Sequence, residues 1–162
     1  IYMNKPEKLL KSKVQRYNHE KYWKNRSIVI DPENKCPKII KAFLLYRIKR
    51  SDAFNNASMG THLNYGAKFK TPPVFPHGLN GIIVSHNAVI GENCTIFHQV
   101  TIGGRKGGYP TIGDNCNIGP GVKILGGVHI GNNVKIGANS VIVEDIPDNA
   151  VVVVEKPRII IK

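Results

Sequence analysis

Cysteine is scarce in this 162-residue chain: three occur, Cys36, Cys94 and Cys116, in no spaced cluster. An odd, sparse count argues against a disulfide framework and against a zinc site, and makes a cytoplasmic setting the expectation. Long apolar runs are missing too. None approaches the roughly 18 residues of a membrane span, so no stable membrane insertion is expected, and no signal-peptide pattern is visible. Acidic residues are few, 11 Asp and Glu against 23 Lys and Arg, for a net charge of +12. The imbalance is concentrated at one end: residues 1–56 hold 14 Lys/Arg and 5 Asp/Glu, and residues 57–162 hold 9 and 6. That balance suits a nucleic acid, an anionic membrane surface or an anionic cofactor as partner, and equally a solvated basic face.

What the chain does have is a period of six. Val84, Ile90, Ile96 and Ile102 form one run, and Ile112, Ile118, Ile124, Ile130, Ile136 and Ile142 a second, with four extra residues inserted at Gly103–Thr111. Glycine often follows the aliphatic residue, and the fifth position is small or β-branched, as at Ala88, Cys94, Val100, Cys116 and Val122. An α-helix repeats near 3.6 and cannot produce this pattern. The reading is a triangular solenoid: each hexad is a short strand and a turn, three hexads close a coil of 18 residues, and the aliphatic side chains fill the prism. Successive coils stack about 4.8 Å apart through parallel strands, and several must stack to bury a core.

Upstream, Leu63, Phe69 and Phe75 keep the step, and a three-residue bulge at His77–Gly81 precedes Val84. Residues 1–56 do not repeat and read as an α-helical region before a β-helix domain at 57–162. Helices are expected over Pro6–Asn25 and Pro37–Arg50, the second turning Ile39, Ile40, Phe43, Leu44 and Ile48 toward a core.

Counting hexads by threes places Phe75, Ile96, Ile118 and Ile136 on one prism face. The residues two positions on, His77, His98, Pro120 and Ala138, then form an outward column, with two histidines one rung apart. A neutral imidazole takes a proton from a hydroxyl near neutral pH, which lets an alcohol attack a thioester. His19, His86 and His129 lack such a setting and read as surface residues. Cys94 and Cys116 stack at the inward corner and read as packed thiols rather than a redox pair.

The segment from Gly81 to Gly104, GIIVSHNAVIGENCTIFHQVTIGG, and the following PTIGDN at Pro110–Asn115 resemble the serine acetyltransferase family of hexapeptide-repeat acyltransferases, over about residues 60–160. Capsule-locus sugar acetyltransferases of the same family look similar. The resemblance implies a mainly β chain, a left-handed parallel β-helix behind a small α-helical N-terminal segment. It also implies a homotrimer or dimer of trimers, and acetyl-CoA as co-substrate in a groove between neighbouring prisms. No metal and no nucleic acid are expected. His77 matches the catalytic histidine, the general base on the acceptor hydroxyl, and His98 a position often histidine. Gly104, Pro120 and Ala138 match positions whose backbone lies along CoA. Arg105 and Arg158, with Lys106, Lys123 and Lys135, suit its phosphates, and the Gly103–Tyr109 loop reads as a mobile flap beside the site.

The departures concern the acceptor. The aspartate that pairs with the family's histidine is His62 here, and no Asp or Glu lies between Asp52 and Glu92. The Arg-His pair that binds serine's carboxylate is Gly108 and Tyr109, and another family aspartate is Pro76. His62 and Tyr109 thus occupy substrate-binding positions without a carboxylate clamp, which leaves L-serine and a sugar of a surface polysaccharide both open. Glu155–Arg158 departs from the family's closing Gly-x-Pro-Ala. Two readings of other classes stand beside acetyl transfer. One is a zinc-dependent carbonic anhydrase-like β-helix using His77, His98 and a neighbour's histidine. The other is a non-catalytic scaffold.

Overall fold

The computed structural model describes residues 5–155 and 158–161. Three helices come first: α1 (Lys5–Val14), α2 (His19–Ile30) and α3 (Lys38–Phe54). Fifteen short strands follow: β1 (Ser58–Met59), β2 (Thr61–His62), β3 (Tyr65–Gly66), β4 (Lys68–Phe69), β5 (Ile83–Val84), β6 (Val89–Ile90), β7 (Thr95–Ile96), β8 (Thr101–Gly103), β9 (Thr111–Ile112), β10 (Asn117–Ile118), β11 (Lys123–Leu125), β12 (His129–Ile130), β13 (Lys135–Ile136), β14 (Val141–Ile142) and β15 (Val151–Val152).

Hexads make coils because each supplies two extended residues and a turn. From β5 to β14 every third strand pairs in parallel, and with β1, β4 and β15 at the ends this gives three sheets in the orders β1-β5-β8-β11-β14, β4-β6-β9-β12 and β7-β10-β13-β15. These are the three sides of a left-handed parallel β-helix of about four turns. The aliphatic at each strand's end points inward: Ile90, Ile96, Ile102, Ile118, Ile124 and Ile130 are fully buried. Burial of this one column per side, at about 25 cal/mol per Å² of apolar surface, is what holds the coils together.

The corner between the β4-β6-β9-β12 side and the next is a repeated left-handed turn. Asn93, Asn115, Asn133 and Asn149 take φ of 55°, 57°, 58° and 63° there, a region asparagine tolerates better than most residues. Their amides join in a ladder, Asn93 to Asn115 and Asn115 to Asn133 at 3.3 Å and Asn133 to Asn149 at 2.9 Å. Beside it Cys94 and Cys116 are buried and reduced. Their thiols face the carbonyls of Gly113 and Gly131 at 3.3 and 3.1 Å.

The upstream register differs from the hexad count. Met59, not Leu63, begins the inward column, pairing with Val84, while Phe69 pairs with Ile90 as expected. The reason is an inserted hairpin: β2 and β3 pair antiparallel around Asn64 at φ 65°, which carries the exposed Leu63 off the prism. The bulge after His77 returns the chain to register, with Val74 bridging Thr95, and it buries Leu79 and Ile82 completely.

The N-terminal helices also differ in detail. The single helix expected over Pro6–Asn25 is two, because Arg16 turns left-handed at φ 49° and Asn18 caps α2 by accepting from the Lys21 amide. In α3, Ile48 is buried, but Ile39, Ile40 and Phe43 are 78%, 46% and 57% exposed, so the expected inward face is wrong for these three. Helix phase explains it: Lys41, Leu44, Leu45, Ile48, Ser51 and Asp52 share the inner side, and Ile39 and Phe43 fall opposite. Arg26 of α2 fastens the helices to the first coil. It is 2% exposed and donates to Thr61 Oγ1 at 3.0 Å, Met59 O at 3.1 Å and Ala67 O at 2.6 Å. Lys41 fastens α3, its buried Nζ donating to Asp31 O at 2.6 Å and Asn64 Oδ1 at 3.0 Å.

Candidate active site

One corner of the prism presents the histidine column. Each rung of one side ends in an inward residue, half-buried Phe75 or buried Ile96, Ile118 and Ile136, and the chain then turns through a residue at positive φ: Gly78 (73°), Gln99 (59°), Gly121 (74°) and Asn139 (60°). The residue just before each left-handed position, His77, His98, Pro120 or Ala138, is set on the outside. The turns bond to one another, Gly121 N to His98 O at 3.0 Å and Asn139 N to Pro120 O at 2.8 Å.

His77 and His98 meet at the top of this column. Their ring centroids lie 5.1 Å apart with the planes at 88°, and Phe97 stands 6.0 Å from His77. His77 is exposed and His98 half-buried. His98 Nδ1 is buried without a hydrogen-bond partner, so this ring keeps an uncommitted nitrogen beside its neighbour. Lys123 reaches up to donate to Gln99 O at 2.6 Å, which holds a positive charge one residue from His98.

The remaining candidates stand at the next corner. His62 stacks on Tyr65 at 4.6 Å and lies 5.5 Å from His86, which in turn is 5.6 Å from Tyr109. Burial, reinforced by Lys49 and His86, draws the His62 imidazole below its ordinary value. Gly104 and Arg105 lie on the loop leading to Tyr109. That loop is a closed turn, Arg105 and Gly108 exchanging amide-to-carbonyl bonds at 3.1 Å, and a Cβ at Gly127 would meet Gly107 O at 2.5 Å. The loop lies at the corner adjacent to the histidines, against the coil that follows. Arg158 is exposed on the tail, and Lys156 and Pro157 lie outside the described residues.

Two histidines read as surface residues are more than that. His86 joins the ring cluster just described. His19 accepts or donates at 2.7 Å with the Tyr17 hydroxyl and packs among Trp23 and Phe75. His86 was legible: it follows Val84 by two, the outward position that His98 holds after Ile96. His129 is exposed, as expected.

The hexapeptide family model described as "Bacterial transferase hexapeptide (six repeats)" matches residues 109–144. A serine acetyltransferase of Helicobacter pylori is 37% identical over 107 residues, 64% of this chain and 62% of that protein. Among solved structures, the serine acetyltransferase of Neisseria gonorrhoeae in complex with serine superposes with a TM-score of 0.59 at 34% identity, over 88% of this chain and 53% of that one. The serine acetyltransferase of Brucella abortus in complex with coenzyme A gives 0.58 at 31%, over 68% and 44%. This chain is similar to the serine acetyltransferases and carries hexapeptide repeats. It spans about half the length of the relatives it matches, 43% in the case of a Synechococcus elongatus serine acetyltransferase. The matched repeats include the turns that carry Pro120 and Ala138, below the histidine pair. Among the described residues no helix is long and apolar enough to cross a membrane, and no group of three or more His, Cys, Asp or Glu is disposed to hold a metal ion.

Proposed function

We propose that this chain transfers the acetyl group of acetyl-CoA to a hydroxyl, with His77 as general base. The observation that carries the reading is the His77–His98 pair, two outward imidazoles in contact at a corner whose lower rungs offer only Pro120 and Ala138. His77 takes the proton of the acceptor hydroxyl as its oxygen attacks the thioester carbonyl carbon. The C–S bond then breaks, and the CoA sulfur leaves with the proton returned by the imidazolium. His98 borders His77 and limits its ring orientations. Relatives captured with serine and with coenzyme A support both substrates as classes.

The corner bearing His62, His86 and Tyr109 belongs to the same site when a neighbouring prism is brought alongside, in the trimer that the resemblance implies. Pro120, Ala138 and Lys123 of one copy then line one wall of the CoA groove, and Gly104 and Arg105 of the next line the other. One observation favours a sugar over serine as acceptor. His62, Tyr65, His86 and Tyr109 form a cluster of four rings, and aromatic ring faces suit the face of a pyranose.

His77→Ala should abolish thiol release from acetyl-CoA while leaving CoA binding nearly intact. Full turnover in that variant rejects His77 as base. A thiol-release assay against serine and a panel of sugars separates the acceptors: release with serine alone rejects the sugar reading. Failure to bind any acyl-CoA, with stoichiometric zinc in the purified protein, would instead favour a carbonic anhydrase-like centre.

A further inference from the structure

The N-terminal region holds a surface that the acetyl-transfer reading leaves unused. α3 is apolar on two sides. Its inner side packs on α2 and β1. Its outer side shows Ile39, Phe43, Tyr46 and Phe54 at 78%, 57%, 59% and 50% exposure. A helix apolar all round is one with a second partner.

The outer side is also basic. Arg47 and Arg50 stand on it, and Arg16 reaches it from the turn after α1, its guanidinium 4.6 Å above the Phe54 ring. Arg16, Arg47 and Arg50, with Phe43 and Tyr46, line a groove of about 550 Å³. Among the described residues no salt bridge joins these arginines to a carboxylate: the sole acid of α3, Asp52, is 2% exposed on the inner side, accepting from the Tyr22 hydroxyl at 2.7 Å.

We propose that this face docks the protein on an anionic lipid surface, with Ile39, Phe43 and Tyr46 entering the headgroup boundary and the three arginines meeting lipid phosphates. Aromatic and aliphatic side chains interspersed with arginine suit that interface, where one end of each group is apolar and the other wet. A second copy fits worse. A twofold contact on this face sets Arg47 and Arg50 against their own copies with no acid between them. A nucleic acid fits worse as well, since exposed Ile39 and Ile40 have nothing to bury against a phosphate backbone.

The test is co-sedimentation of the full chain with vesicles of phosphatidylglycerol and phosphatidylcholine, against vesicles of phosphatidylcholine alone. Binding to the anionic vesicles only is expected, weakening as salt is raised. Arg47→Glu/Arg50→Glu and, separately, Phe43→Ser/Tyr46→Ser should each weaken it by about tenfold or more. All four residues are exposed, so the melting temperature should hold, and circular dichroism reports this. Equal binding to both vesicles, or to neither, overturns the proposal. So does a change of oligomeric state in either variant by sedimentation velocity, or tighter binding to single-stranded RNA than to the anionic vesicles.

Discussion

Arg26→Met removes the clamp between the helices and the prism, and its cost follows from the geometry. The guanidinium serves three acceptors, the Met59 and Ala67 carbonyls and the Thr61 hydroxyl, and lies 4.9 Å from the Phe69 ring and 5.3 Å from that of Trp23. Methionine nearly fills the space but donates nothing. The two carbonyls, at a site where Met59, Ala67 and Thr61 are fully buried, would each lose a charged donor at about 1–3 kcal/mol. The Thr61 hydroxyl costs less, because it keeps its long bond to Met59 O at 3.5 Å, which also softens the loss at that carbonyl. Against this stands the relief of burying no charge: desolvation already draws the guanidinium down to about 10, and apolar replacements of buried charges are at times neutral or better. The balance is a loss of about 3 kcal/mol, since the lost charged bonds outweigh one partly stabilised cation. Denaturant unfolding of wild type and variant measures it as a shift in midpoint at unchanged slope. Arg26→Lys should fall between them, as one ammonium cannot span all three acceptors. A loss below about 1 kcal/mol would refute the clamp and reduce Arg26 to a space-filling residue.

Three further outcomes are expected. Burial lifts the Asp52 carboxyl from 3.8 to about 6. The folded state therefore holds the proton more tightly, and the stability this group contributes is complete below pH 4 and lost as pH rises through 6. Asp52→Asn should flatten the fall in unfolding free energy over that window by at most about 3 kcal/mol, and a pH series of denaturant melts that is parallel for the two proteins would contradict it. The Cys116 thiol beside it, with burial, pushes the Cys94 thiol well above its ordinary value. Because Cys94 and Cys116 are both buried, Ellman's reagent should find one reactive thiol in the native protein, Cys36, and three after unfolding; rapid reaction at three would show an open corner. Asn115→Ala puts at φ 57° a residue that tolerates the left-handed region less well than asparagine, and cuts the amide ladder on both sides, for a loss of about 1 kcal/mol or more, with Asn115→Gly costing less; equal melting temperatures for the two would dismiss backbone strain at this turn.

The residues of the sequence by themselves determined the prism. A period of six forces an inward column, and stacking by threes then brings His77 beside His98 and Cys94 beside Cys116 from spacing alone, since parallel coils have a single register that keeps every aliphatic inside. The upstream start was not legible, because the Thr61–Gly66 hairpin adds residues without breaking the apolar count, and Leu63 imitates the step that Met59 takes. Nor was the face of α3: its apolar residues surround the axis, so phase could not say which side meets the prism until Arg26 and Lys41 docked the helices. The ring cluster of His62, Tyr65, His86 and Tyr109 was decided by tertiary structure as well. Three separate chain segments converge there, and only the stacking of hairpin, coil and loop at one corner puts their rings within 6 Å.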